Sequence, residues 1–257
     1  MRTLKHLSFV TLACMIMMSC GNTERESVKV SEEYSEQLIR DMRNKDFSLV
    51  LNDMNVSEQG DRMLFQHKYH VLKVEKDSLL VDSLDWKPVN KGFFEKHEND
   101  LGMEIVSNHN NKLSRVAKPV GFDWAVGNSK YGEWEAAKKD STNTNSTARS
   151  STNNRRVWRP YSSGLFWYWM LRRPAYQRDY VGHRAYSSAG RTYYGNNTGG
   201  TSTYGTNSAY QKTKRASFFT RRSSSKTWNS FSSRKGASSS RYDGASSTRS
   251  RSGGYGK

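Results

Sequence analysis

His97 and Glu98 open the run HENDL (97–101), the first half of the pattern in which two histidines one helical turn apart hold zinc beside a glutamate base. Position 101 is Leu101, so the second ligand is missing, and His97 is expected to be a half-buried helix residue. His67 and His70 stand three apart in an alternating stretch, a spacing that sends strand side chains to opposite faces and prevents them from sharing an ion. No metal site and no cofactor are predicted. The chain contains no G-x-S-x-G elbow, no phosphate-binding loop and no G-x-G-x-x-G turn, so no catalytic residue is assigned. The most concentrated side-chain chemistry lies in RRVWRPYSSGLFWYWMLRR (155–173). There Trp158, Phe166, Trp167, Tyr168 and Trp169 lie among Arg155, Arg156, Arg159, Arg172 and Arg173. Trp and Tyr favour the lipid headgroup region and arginine pairs with phosphate, so the block could lie in a membrane interface or bind a partner. It could equally dock on a neighbouring domain and complete its core.

The elements that could position these groups fall between residues 31 and 136. Ser31, Glu32 and Glu33 read as a helix start, with Tyr34, Leu38, Ile39 and Met42 on one face. Phe47, Leu49 and Leu51 alternate with more polar neighbours as in a strand, and MLFQHKYHVLKV (63–74) and Leu79 to Leu84 read as further strands. Asn90 opens a second helix carrying Phe93, Phe94, His97 and Leu101, with Gly102 as its cap. MEIVS (103–107) and LSRVA (113–117) read as a hairpin. The expectation is an α+β fold, a small domain of two helices and about five short strands.

Charge divides the chain into two halves. Residues 20–140 hold 18 Lys and Arg against 22 Asp and Glu, whereas residues 141–257 hold 21 Lys and Arg against only Asp179 and Asp243. The second half, 117 residues long, has eight Leu, Ile, Val or Phe, too few by composition to offset its conformational entropy. The expected organisation is therefore a polar linker over 137–154, the Arg-flanked aromatic segment over 155–186 and a disordered basic Ser/Gly/Arg/Tyr-rich tail over 187–257.

The N-terminus is MRTLKHLSFVTLACMIMMSC, a basic head followed by a 12-residue apolar stretch from Leu7 to Met18. That length suits a signal-peptide core and is too short to span a bilayer. Ser19–Cys20 resembles the lipobox of bacterial lipoproteins, which implies a signal peptide over 1–19, acylation of Cys20 and a linker over 20–30. Gly21 stands where Asp would favour retention at the inner membrane, so the outer membrane is the expected destination. Farther along, HENDLGMEI (97–105), PVGFDWAVGNSKYGEW (119–134), YGTNSAYQKTKRASFFTRR (204–222) and RSRSGGYGK (249–257) occur in order. Together they resemble an uncharacterised family of bacterial lipoproteins and exported proteins with a GNxxYGxW segment and an Arg/Ser/Gly/Tyr-rich tail. The resemblance implies an envelope protein and carries no catalytic residue.

The reading that joins these signals is a lipid-anchored, non-enzymatic protein of the bacterial cell envelope. Its partners would be the membrane, through acylated Cys20, and an anionic lipid or glycan surface or an envelope protein, through the basic aromatic tail. Tyrosines among arginines also suit nucleic acid, a reading the signal peptide disfavours. An envelope enzyme using carboxylates of the α+β domain is the remaining alternative.

Overall fold

The computed structural model describes residues 25–75, 78–136, 156–161, 174–195 and 201–233. Its class is α+β. Helix α1 (Tyr34–Asp41) precedes β1 (Phe47–Gln59), β2 (Arg62–Glu75), β3 (Ser78–Ser83) and β4 (Lys87–Val89). Helix α2 (Lys91–His97) leads into β5 (Glu104–His109) and β6 (Lys112–Ser114). These six strands form one sheet in the order β3-β2-β1-β5-β6, with β4 also pairing on β2, every pairing being antiparallel.

Local chemistry explains the hairpins. Gly60 has a φ of 59° at the first position of the two-residue β1–β2 turn, a conformation that costs glycine little. Asn110 and Asn111, with φ of 52° and 59°, close the β5–β6 hairpin, the tolerance for positive φ that a two-residue turn of this kind requires. In β1 the register shifts between Leu51 and Asp53, leaving Asn52 as a bulge. The extra residue keeps Phe47, Leu49, Leu51, Met54 and Val56 in one buried cluster, opposite Phe65, Tyr69 and Val71 of β2. Without it, Met54 and Val56 would fall on the other face.

Leu38 of α1 and Phe94 of α2 join that cluster, as the helical spacing implied. Asn90 precedes α2 without capping it through its side chain; its amide instead bonds the Val30 backbone and the Glu33 carboxylate. Gly102 is not a helix cap. With a φ of 76° it lies in the turn before β5, and its N–H donates to the Leu51 carbonyl at 2.7 Å.

The largest departure from expectation lies beyond residue 141. Helix α3 (Gln177–Ser188), α4 (Ala209–Lys214), α5 (Ala216–Ser224) and a further helical stretch over 226–233 are all folded here. Phe218, Trp228 and Phe231 belong to the main core, with the Phe231 ring 5.2 Å from Phe65 and the Trp228 ring 5.6 Å from Phe94. Residues 201–233, expected to be disordered, are thus part of the domain. A second, smaller cluster joins Phe122, Val126, Trp158 and Ala175 beneath a two-stranded sheet of β7 (Gly132–Ala136) and β8 (Arg156–Pro160).

The missing aliphatics are replaced by hydrogen-bonded tyrosine and threonine. Buried Asp179 accepts from Tyr193 Oη at 3.1 Å and Tyr204 Oη at 3.3 Å. Asp100 accepts from Tyr194 Oη at 2.7 Å and lies 2.8 Å from His97 Nδ1, so HENDL is a buried junction for the second half of the chain. Fully buried Thr206 completes it, its hydroxyl donating to the Glu98 carbonyl at 2.7 Å and accepting from the Leu101 N–H at 3.1 Å.

Candidate functional site

The sheet's second face carries Ser48, Val50, His70 and Leu72, each the pleat neighbour of a core residue. His67 points the other way, buried against Phe94 and 3.0 Å from Tyr69 Oη, so the two histidines do lie on opposite faces. Over the second face the chain leaves a cleft of about 290 Å³. Val50 and Leu72 form its floor, Pro119, Val120 and Phe122 one wall, and Tyr204, Ser208, Gln211, Lys214 and Arg215 the other.

The polar groups in this cleft are positioned by the features that shape the fold. Ser208 Oγ caps α4 by accepting from the Gln211 N–H at 3.2 Å. One turn on, Arg215 Nε donates to Gln211 Oε1 at 2.8 Å, and its guanidinium donates to Asn52 Oδ1 at 2.7 Å and to the Asn52 carbonyl. The bulge at Asn52 therefore has a second role, presenting a carbonyl and an amide to one arginine. Gly102 and Gly205, with φ of 76° and 78°, let the two segments close on each other, since a Cβ on Gly102 would lie 1.8 Å from Gln211 Nε2.

Electrostatically the cleft has one sign. Its lining contains Lys214, Arg215 and His70 and no carboxylate. Burial, with added repulsion from the charges of Arg215 and Lys68, lowers the His70 pKa to about 4, so at neutral pH the ring is uncharged. Its Nδ1 is 3.0 Å from Ser83 Oγ. A basic rim over an apolar floor suits an anionic group carried on an apolar body. No family profile, curated protein or solved structure matches the chain.

The aromatic block expected to meet a membrane or partner is divided by the structure. Trp158 is a core residue at 3% exposure, its ring 5.2 Å from Trp134 across the β7–β8 pair, and not a surface anchor. Elsewhere on β8, Arg156 is exposed at the strand start, and Arg159, on the opposite face from Trp158, pairs with Glu135 at 3.2 Å. Cys20, Arg155, Phe166, Trp167, Tyr168, Trp169, Arg172 and Arg173 lie outside the described residues. Residues 20–24 of the 20–30 linker, the whole 137–154 linker and the tail from 234 onward lie there too. Among the described residues no helix is long and apolar enough to cross a membrane, and no group of three His, Cys, Asp or Glu could hold a metal ion.

Sequence reasoning passed over Asn52, Lys214 and Arg215. Two signals pointed to them: the paired polar residues Asn52–Asp53 interrupting an alternating strand, and the basic run KTKR (212–215) preceding Phe218. Neither reveals that α4 reaches the bulge, because 163 residues separate Arg215 from Asn52.

Proposed function

We propose that this chain is a lipid-anchored, non-enzymatic protein of the bacterial outer membrane whose basic second half binds anionic envelope material. In this reading the cleft receives the anionic group of an amphipathic molecule, such as a fragment of a lipid or glycolipid. The observation that supports it best is the cleft's composition, two cationic side chains over Val50 and Leu72 with no carboxylate. The signal-like N-terminus and the Ser19–Cys20 junction support the anchor. The base-stacking alternative is weakened because Tyr193 and Tyr204 are held by Asp179 and Tyr194 by Asp100.

Calorimetric titration with decyl phosphate, decanol and inorganic phosphate tests the cleft. Decyl phosphate should bind more tightly than either of the others, and Lys214→Glu should weaken it about tenfold, equivalent to about 1.4 kcal/mol. Equal binding of decanol, or indifference to Lys214→Glu, would refute the anionic reading of the cleft. The anchor is tested separately by mass spectrometry of the mature N-terminus: an unprocessed Met1 would exclude acylation at Cys20.

A further inference from the structure

Behind the cleft wall lies a cluster of charge that the proposed binding role does not use. After β6 the chain returns along β5, and Glu104 and Lys118 exchange both backbone hydrogen bonds, each 2.9 Å. Such a pair puts the two side chains on one face, with Cα atoms about 5.5 Å apart. Both residues are closed off from water, Glu104 at 0% and Lys118 at 1% exposure. Gly121, at a φ of 80°, then reverses the chain, its N–H donating to Glu104 Oε2 at 3.1 Å. The reversal brings the Asp123 carboxylate into contact with Lys118 Nζ. His183 of α3 closes the cluster, with Nε2 at 3.4 Å from the other Asp123 oxygen.

Two polar atoms here are buried with no hydrogen-bond partner, Glu104 Oε1 and His183 Nδ1. Orphaned atoms of this kind are uncommon and call for a reason. The surroundings are aromatic: Phe122 packs edge-on against His183 at 5.5 Å, and Trp124 stacks on His109 at 4.4 Å. Burying Lys118 and Glu104 this completely costs several kcal/mol per ion, while the Asp123 side chain keeps 24% exposure. An amine held against one carboxyl, beside a second carboxyl able to carry a proton, is the arrangement that amide formation requires.

We propose that Lys118 and Asp123 are joined by an intramolecular amide, formed by the folded chain itself with Glu104 as the proton carrier. The Nζ lone pair adds to Asp123 Cγ. Glu104 accepts a proton from the nitrogen and returns it to the departing hydroxyl. The Cγ–O bond breaks as the Nζ–Cγ bond is kept, and one water leaves. No electron is gained or lost, and the positive and negative charges of the pair disappear together. The product is a ring closed across Pro119, Val120, Gly121 and Phe122, three of which line the cleft, so the bond fixes that wall.

Denatured intact-mass measurement of the purified full chain reads the reaction directly, because loss of one water lowers the mass by about 18 Da. The peptide 116–130 contains both partners and should carry the whole deficit. It should yield no fragment ions from breaks between Lys118 and Asp123, and Lys118 should resist reductive dimethylation after unfolding. A cyclic imide at Asp123 also loses water, but it leaves Lys118 reactive and the fragment series complete, and finding this would overturn the proposal. A full, unshifted mass would overturn it outright. Glu104→Gln should restore the full mass in a chain whose circular dichroism is unchanged, and Lys118→Arg should do so while keeping the charge. A deficit persisting in folded Glu104→Gln would refute the role given to Glu104.

Discussion

Replacing Trp228 by alanine tests whether the C-terminal helices are part of the fold. Trp228 is 2% exposed, and its ring meets Phe94 at 5.6 Å and Phe218 at 5.7 Å, both edge-on. Truncating a buried Trp to Ala costs about 3–5 kcal/mol in transfer energy and residual cavity. That is a large share of the roughly 5–15 kcal/mol by which a domain of this kind is stable. The loss has a ceiling, because the stretch 226–233 can undock as a unit once its anchor is gone, taking Phe231 off Phe65 with it. A second change, Phe231→Ala, should therefore add much less in the Trp228→Ala background than it costs alone. Urea unfolding followed by far-ultraviolet circular dichroism measures all three variants, with the exposed Lys226→Ala as control within about 0.5 kcal/mol of wild type. A Trp228→Ala protein as stable as that control would show that these helices are not docked, and the folded boundary would fall back toward residue 136.

Acid should destabilise the protein. Burial is the largest cause holding His67, His70, His109 and His183 below the usual histidine value, so between pH 6.5 and about 4, where His70 titrates, the unfolded chain binds more protons. Stability falls as pH is lowered through that window, by at most about 1.4 kcal/mol per pH unit for each such histidine. Urea midpoints at pH 7, 6 and 5 should decrease in that order, and a flat or rising series would contradict it. Gly205→Ala should cost more than about 2 kcal/mol, because φ is 78° and the added Cβ would lie 2.4 Å from the Asn99 carbonyl. Gly60→Ala, whose Cβ would meet nothing within 4 Å, separates the conformational part of that cost from the clash.

The first half of the fold was legible because it is written in aliphatic periodicity. Phe47, Leu49 and Leu51 alternate, Leu38 and Phe94 fall on helical faces, and Asn110–Asn111 is turn chemistry. The second half escaped the same reading because its core uses other means. Phe218, Trp228 and Phe231 are few and widely spaced, yet each aromatic buries on the order of 150–250 Å². Tyr193, Tyr194 and Thr206 count as polar in composition, but here they bury their bodies and direct hydroxyls at Asp179, Asp100 and Glu98. The cleft was invisible for a different reason: Asn52, His70, Phe122 and Arg215 converge only through long-range pairing.

The strand-like start of the described chain has a mechanical consequence. Val28 N–H donates to the Met63 carbonyl and Met63 N–H to the Glu26 carbonyl, each at 2.9 Å, fastening residues 26–28 along β2. Arg25 adds a 2.5 Å pair with Glu58, and Thr227 of the last helical stretch bonds the same glutamate at 3.2 Å. On the proposed lipid anchor, four residues separate Cys20 from Arg25, and the five Cα–Cα steps make a leash of at most about 18 Å when fully drawn out. The folded body would ride directly on its membrane instead of sweeping a volume above it. Its lower end would be the tip of the β1–β2 hairpin, where Glu58 holds both Arg25 and Thr227.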